Sequence, residues 1–252
     1  GQMPASSFVA LGMKNPDGSD FTSTANGGKG GYYSVDAKDL QSNFDKCKEV
    51  LKKYYKYDDA SGKFTDIPAQ VYLYNTSEAH AAIAAYLQSA LDQLGLTMTL
   101  ENQEWNTFLN TRKAGDYSIA RNGWVADYTD PICFLDMWTT VSGNNDVQFG
   151  RGNHAGLKMY SLDLTDVAGY TTKVDKGTWA ETYDVLISAI KSESDNDKRY
   201  ALMHKAEDLL MSTGCIVPLY FYTDMYMISK KVKGFFSIPL GYKFFHYTTI
   251  EA

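Results

Sequence analysis

The sequence predicts an α/β fold, a largely parallel sheet flanked by helices. Three observations carry that expectation. Strand-like and helix-like stretches alternate between residues 69 and 124, and strand–helix–strand–helix–strand with short links implies parallel pairing. Two further amphipathic helices follow between 178 and 214. The 252 residues are 44% hydrophobic and 21% charged, enough apolar material for a sizeable core.

The elements follow in order. Residues 14–34, "KNPDGSDFTSTANGGKGGYYS", are rich in Gly, Asn and Ser and predict a loop. Leu40, Phe44, Cys47 and Leu51 then recur at helical spacing, with Asp36 as N-cap. "AQVYLYN" predicts a strand. The next helix carries Ile83, Leu87, Leu91 and Leu94 on one face and stops at Gly95. "LTMTLENQEW" is a second strand, "NTFLNTRKAG" a short helix and "DYSIARNGW" a third strand. Residues 141–178 are weakly periodic and predict a long surface excursion. Trp179, Tyr183, Leu186 and Ile190 mark one later helix; Leu202, Ala206 and Leu209 mark another, ending at Gly214. "CIVPLYFYTDMYMIS" predicts a near-continuous apolar strand, with Pro218 placing it at an edge or irregularity.

Composition excludes some functions. A net charge of −6 argues against a nucleic-acid surface. No apolar run approaches the roughly 20 residues that span a bilayer. The opening "GQMPASSFVALGM" lacks the pattern of a signal peptide, so the chain is either cytoplasmic or begins downstream of its targeting segment. Cys47, Cys133 and Cys215 are widely separated, which predicts three small buried hydrophobes rather than disulfides or a metal site.

No nucleophile elbow, phosphate loop or metal-ligating motif occurs. Of the four histidines, His154 falls in the excursion, where it would be solvated, and His204 lies one turn from Asp208, a spacing that suits a surface pair better than a dyad. Asp127 and Asp130 form a weak carboxylate pair; a turn role suits Asp130. Asp127, among Val125, Ala126 and Tyr128, needs a partner. His80 sits in the first turn of a helix, where free N–H groups and Asn75, Thr76 and Ser77 outline an anion site; capping by Ser77 or Thr76 is the simpler alternative. Arg121, within an apolar strand, requires pairing, and an internal salt bridge would supply it. Arg112 at a helix end suits the dipole. Trp105 and Trp124 each end a strand, as core or as pocket walls.

The segment "YNTSEAHAAIAAYLQSALDQLGLTMTLENQEWNTFLNTRKAGDYSIARNGWVADYTDPICFLDMW" resembles the second lobe of the oligopeptide-binding proteins, the extracellular solute-binding family 5 of ABC importers. "CIVPLYFY" falls in the family's order, and the opening "GQMPASSF" is also similar. The likeness is strong over 71–138, good over 180–234 and weak over 139–179, where an insertion is expected. It implies a class II periplasmic-binding-protein fold. The implied organisation is a loop-rich opening segment (1–35), a second lobe (36–234), and a tail (235–252) that returns to an absent N-terminal lobe.

The resemblance implies capture of oligopeptides for import, with permease subunits as partners, no catalysis and no cofactor. It also implies an extracytoplasmic location with lipid anchoring through the absent N-terminus. Asp127 matches the aspartate that pairs with the peptide α-amino group. Trp124 and Trp105 match pocket walls, and Gly123 and Val125 the edge backbone that bonds the peptide main chain. His80, Arg112 and Arg121 match positions linked to the peptide carboxylate, and Tyr222 a pocket tyrosine. Val125 stands where some relatives carry cysteine. Alternatives are another solute of the same family, such as a dipeptide, nickel chelate or sugar, or a hydrolase using Asp127 and Asp130.

Overall fold

The structure, a computed structural model, describes residues 1–151 and 159–251. Its strands in chain order are β1 (Met3–Pro4), β2 (Tyr57–Asp58), β3 (Lys63–Phe64), β4 (Gln70–Asn75), β5 (Met98–Gln103), β6 (Ile119–Ala120), β7 (Met159–Asp163), β8 (Lys173–Thr178) and β9 (Tyr220–Phe221). The helices used below are α1 (Leu40–Lys52), α2 (Glu78–Gln93), α3 (Trp105–Ala114), α4 (Ile132–Leu135), α5 (Trp179–Ser192) and α6 (Asn196–Met211). The chain divides into two compact units, residues 36–123 and residues 1–35 with 124–252. The opening segment foreseen over 1–35 therefore folds with 124–252, and the stretch 36–234 is shared between both units.

The unit 36–123 is built on the expected parallel sheet, in the order β5-β4-β6. Tyr72, Leu73 and Tyr74 of the central strand are buried, with Ala84, Met98 and Leu94 also in the interior. Crossovers α2 and α3 return the chain to the strand starts, as parallel pairing requires. Glu104 caps α3 by accepting the Asn106 N–H at 2.9 Å, so Trp105 opens that helix rather than ending the strand before it. The third strand is shorter than expected: only Ile119 and Ala120 pair with β4, and the Arg121 N–H adds one bond to the Leu73 carbonyl at 2.8 Å. Asn122 then turns its side chain back to accept the Gly123 N–H at 2.7 Å, the local bonding by which Asn competes with a ladder.

Asp36 caps as expected, accepting the Lys38 N–H at 3.0 Å. The stripe of α1 is not buried, however: Leu40 and Cys47 are exposed, Phe44 and Leu51 half-buried. After α2, Gly95 has φ +85°, and a Cβ there would meet the Gly62 carbonyl at 2.5 Å. Gly95→Ala is expected to cost about 1–3 kcal/mol, combining left-handed strain with a backbone collision, read as a lower midpoint in urea unfolding. An unchanged midpoint would show that the α2 terminus relaxes freely.

The other unit has its core between α5 and α6. Trp179, Tyr183, Leu186 and Ile190 repeat at helical spacing, and Leu202, Met203, Ala206 and Leu210 do the same; all are buried. Thr178 and Glu181 form a capping box at the start of α5, and Asp195 caps α6. The Trp179 Nε1 donates to the Leu209 carbonyl at 2.8 Å, fastening one helix to the end of the other.

The described residues of 141–178 are not a surface excursion. β7 and β8 pair antiparallel with a bulge between Tyr160 and Leu162, and Phe149, Leu162, Leu164 and Val167 join the core. Phe149 lies 4.0 Å from the Trp179 ring by centroids. Single large apolar residues spaced by Gly and Asn bury themselves here without a legible period. His154 lies outside the described residues.

The apolar run after Gly214 also departs from expectation. Only Tyr220 and Phe221 form strand, paired with β1, while Val217, Met225, Met227 and Ile228 are exposed. Pro218 supplies no N–H, and β1 offers only two residues to pair. The tail closes as two short antiparallel pairs, Val232–Lys233 with Thr249–Ile250 and Phe236–Ser237 with Lys243–Phe244. Two cysteine expectations also fail: Cys47 and Cys215 are exposed, and Cys133 alone is buried. Neither exposed thiol lies on a face that packs.

Candidate ligand-binding site

The sequence motif "GWVADYTDP" is held in place by the short helix that follows it. Asp130 starts that helix, its carboxylate accepting the Ile132 N–H at 3.0 Å and its carbonyl the Cys133 N–H at 3.0 Å. Its other carboxylate oxygen binds Arg199 at 2.7 Å. The loop is then clipped to Cys133 twice. The Trp124 Nε1 donates to the Cys133 carbonyl at 2.9 Å, and the Asp127 N–H donates to the Cys133 Sγ at 3.2 Å. Ala126 is buried between these clips.

That clamp leaves the Asp127 side chain outward. Its carboxylate accepts no hydrogen bond and forms no ion pair among the described residues, and it is exposed. It borders a recess of about 350 Å³, walled by Trp124, Tyr128, Met137 and Val141 and polar at Asp136, Thr139 and Lys191. Asp136 and Lys191 pair at 3.1 Å. The Tyr128 hydroxyl is pushed to a higher pKa by burial first and by the Asp136 charge second. Val125 is 60% exposed, as an edge offering backbone would be. Residues 121–126 carry no ladder of their own, so the edge is irregular rather than a strand.

Tyr222 is half exposed and meets Tyr220 edge-on at 5.3 Å. It follows the β1–β9 pair, where the Thr223 N–H binds Gln2 Oε1 at 2.6 Å.

Within residues 36–123 a second group gathers at the carboxyl ends of the parallel strands, where such sheets place ligands. Arg121 follows β6 and reaches Asn75 Oδ1 at the end of β4 with Nη1, at 3.5 Å. Arg112, on α3, is buried; its Nη1 lies 3.5 Å from the Arg121 carbonyl and its guanidinium 5.1 Å from the Phe108 ring centre. It lies in the last turn of α3, as expected, and from there it also supports the strand end from a buried position. Trp105 is exposed and tilted against Phe108 at 5.9 Å, and Gly123 is exposed.

His80 occupies the first turn of α2. Burial and, next, the Arg121 charge lower its pKa, so the ring is neutral and positive charge at this strand end comes from arginine. Neither expected cap operates: Ser77 makes no side-chain cap bond, and the Thr76 hydroxyl binds Asn102 Oδ1 at 2.8 Å.

His204 does not pair with Asp208. It stacks on Phe21 at 3.8 Å and places Nε2 3.1 Å from Asn15 Oδ1 and 3.0 Å from Thr24 Oγ1. Asp208 instead accepts from the Tyr32 hydroxyl at 2.6 Å. Two residues that sequence reasoning missed are Asp136 and Lys191. They lie 55 positions apart by number, and only the packing of α5 beside α4 brings them to one recess.

One unit is thus a parallel α/β frame, and the other presents an exposed carboxylate beside an aromatic-walled recess. The model of the middle part of the bacterial extracellular solute-binding proteins, family 5, matches residues 5–146. The chain belongs to that family, whose members bind solutes outside the cytoplasm and are not enzymes.

Among its relatives is the dipeptide-binding protein DppE of Bacillus subtilis, 31% identical over 96% of this chain and 36% of that protein. The oligopeptide-binding protein OppA of the same organism is 29% identical over 92% of this chain and 35% of that one. An oligopeptide ABC transporter substrate-binding domain from Bacillus anthracis superposes with a TM-score of 0.65, covering 100% of this chain and 41% of that structure. At 22% identity the last likeness speaks for the fold alone. The chain spans about a third of the length of the curated relatives it matches.

Proposed function

We propose that this chain forms part of the peptide-capturing component of an ABC importer and that Asp127 holds the peptide's amino end. One observation carries the reading: a carboxylate clamped by its own backbone yet without a described partner, at the mouth of an aromatic-walled recess. A binder of many peptides must use what peptides share, their charged ends and main chain. Asp127 supplies the acceptor for the amino end, and Gly123 and Val125 supply backbone. Trp124, Trp105 and Tyr222 supply apolar surface, and Arg121, with Arg112 and His80 behind it, supplies charge for the carboxylate.

The remaining parts of the proposal rest on the likeness to family members. Permease subunits and a further N-terminal lobe are the partners, the location is extracytoplasmic, and a lipid anchor precedes the lobe. No reaction is catalysed. The carboxylate pair that hydrolysis would require is unsupported, because Asp130 is engaged by Arg199 and by the start of α4.

Native mass spectrometry of the complete protein as purified is the direct test. Short peptides of mixed sequence with free amino ends are the expected cargo. A sugar or a metal chelate as the sole cargo would overturn the reading.

A further inference from the structure

The recess beside Asp127 has a charge pattern that the capture of peptide ends does not use. Building on the reading of Asp127 as the amino-end anchor, we propose that this recess receives the side chain of the ligand's first residue and that Asp136 makes it prefer a cationic one, lysine or arginine. The volume, about 350 Å³, admits any natural side chain. Asp127 and Asp136 line the same space, so a first residue anchored at Asp127 projects its side chain toward Asp136.

The walls set the sign. Two carboxylates face one ammonium there, so the recess is negative before ligand arrives. Once the α-ammonium sits on Asp127 the opposed charges of Asp136 and Lys191 remain, and the sign of the preference follows from which of the two stays in the recess.

The Asp136–Lys191 pair does not close the recess to cations, because its partners differ in freedom. Asp136 is on a short side chain at the turn after α4, 32% exposed. Lys191 is on a flexible stem in the last turn of α5, 55% exposed, where release into water costs little. An incoming lysine or arginine can therefore share Asp136 while Lys191 swings outward. The Trp124 ring, pinned through its Nε1, gives the aliphatic stem of such a side chain a fixed apolar wall.

Calorimetry on the complete protein tests this with three tripeptides that differ only in their first residue: lysine, norleucine or glutamate. Lysine is expected to bind about tenfold more tightly than norleucine, with glutamate weakest, as one charge-assisted bond partly offset by desolvation allows. Asp136→Asn should erase the lysine preference and leave norleucine unchanged. Lys191→Met should widen the preference, by freeing Asp136. Equal affinity for lysine and norleucine, or a preference that survives Asp136→Asn, would overturn the proposal. Asp127→Asn separates the two readings. Equal losses for all three peptides support both. No loss for any, with the Asp136 effect intact, removes the amino-end anchor and leaves the recess assignment standing.

Discussion

Asp127→Asn in the complete protein is expected to weaken binding of peptides with free amino ends by roughly 10- to 100-fold. A hydrogen bond to a charged group contributes roughly 1.5–3 kcal/mol, and each 1.4 kcal/mol is a factor of ten. Asparagine keeps the size and one acceptor oxygen but removes the charge and turns an N–H₂ toward the ammonium. The fold should not notice. The clip from the Asp127 N–H to the Cys133 Sγ is backbone, and the side chain has no described partner to lose. N-acetylated peptides supply the control, since they bring no ammonium and should bind both proteins equally. Matching losses for free and acetylated peptides would detach Asp127 from the amino end.

The setting of Asp127 was legible in sequence because the motif is local, whereas the amino-end role came from the family resemblance. "GWVADYTDP" contains the proposed anchor, the turn aspartate and one wall of the recess within nine residues, and the helix that clamps it begins at once. The β4–α2–β5–α3 alternation was equally legible, since each element carries its own period and its own stop, as Gly95 shows. What escaped was whatever depends on distant partners. Asp136 and Lys191 give no sign of each other along the chain. "CIVPLYFYTDMYMIS" reads as a buried strand, but an apolar run becomes a strand only where neighbours complete its ladder, and β1 completes two residues of it. Residues 141–178 err the other way. Phe149, Leu164 and Val167 reach the core from loops and an irregular hairpin, so burial there has no period to detect.

Glu207→Ala is expected to destabilise the α5–α6 unit strongly, costing about 3–5 kcal/mol. Glu207 is fully buried on α6, and its Oε1 accepts the Phe8 and Val9 N–H groups at 2.9 and 2.8 Å. It is therefore the acceptor that fastens the opening segment to the helix. Truncation strands two donors, the buried Val9 N–H and the half-buried Phe8 N–H, at roughly 1–3 kcal/mol for a buried one, and leaves a cavity. Burial raises the Glu207 pKa to about 7 against the opposing pull of the two N–H groups, with Asp208 adding to the rise.

The sign of the linkage follows. A carboxyl whose folded pKa lies above its unfolded value contributes stability that is complete below about 4.5 and is lost as pH rises through about 7. Glu207→Gln keeps the carbonyl acceptor and cannot ionise, so it should fold well and lose this fall in stability between acid and neutral pH. His204 acts in the opposite sense. Burial lowers its pKa, so its contribution is present above its ordinary value of 6.5 and is lost as pH falls through the lowered one. Urea midpoints from pH 5 to pH 8 measure the balance. A Glu207→Gln profile parallel to that of the unmodified protein would show that Glu207 keeps an ordinary carboxylate range despite its burial.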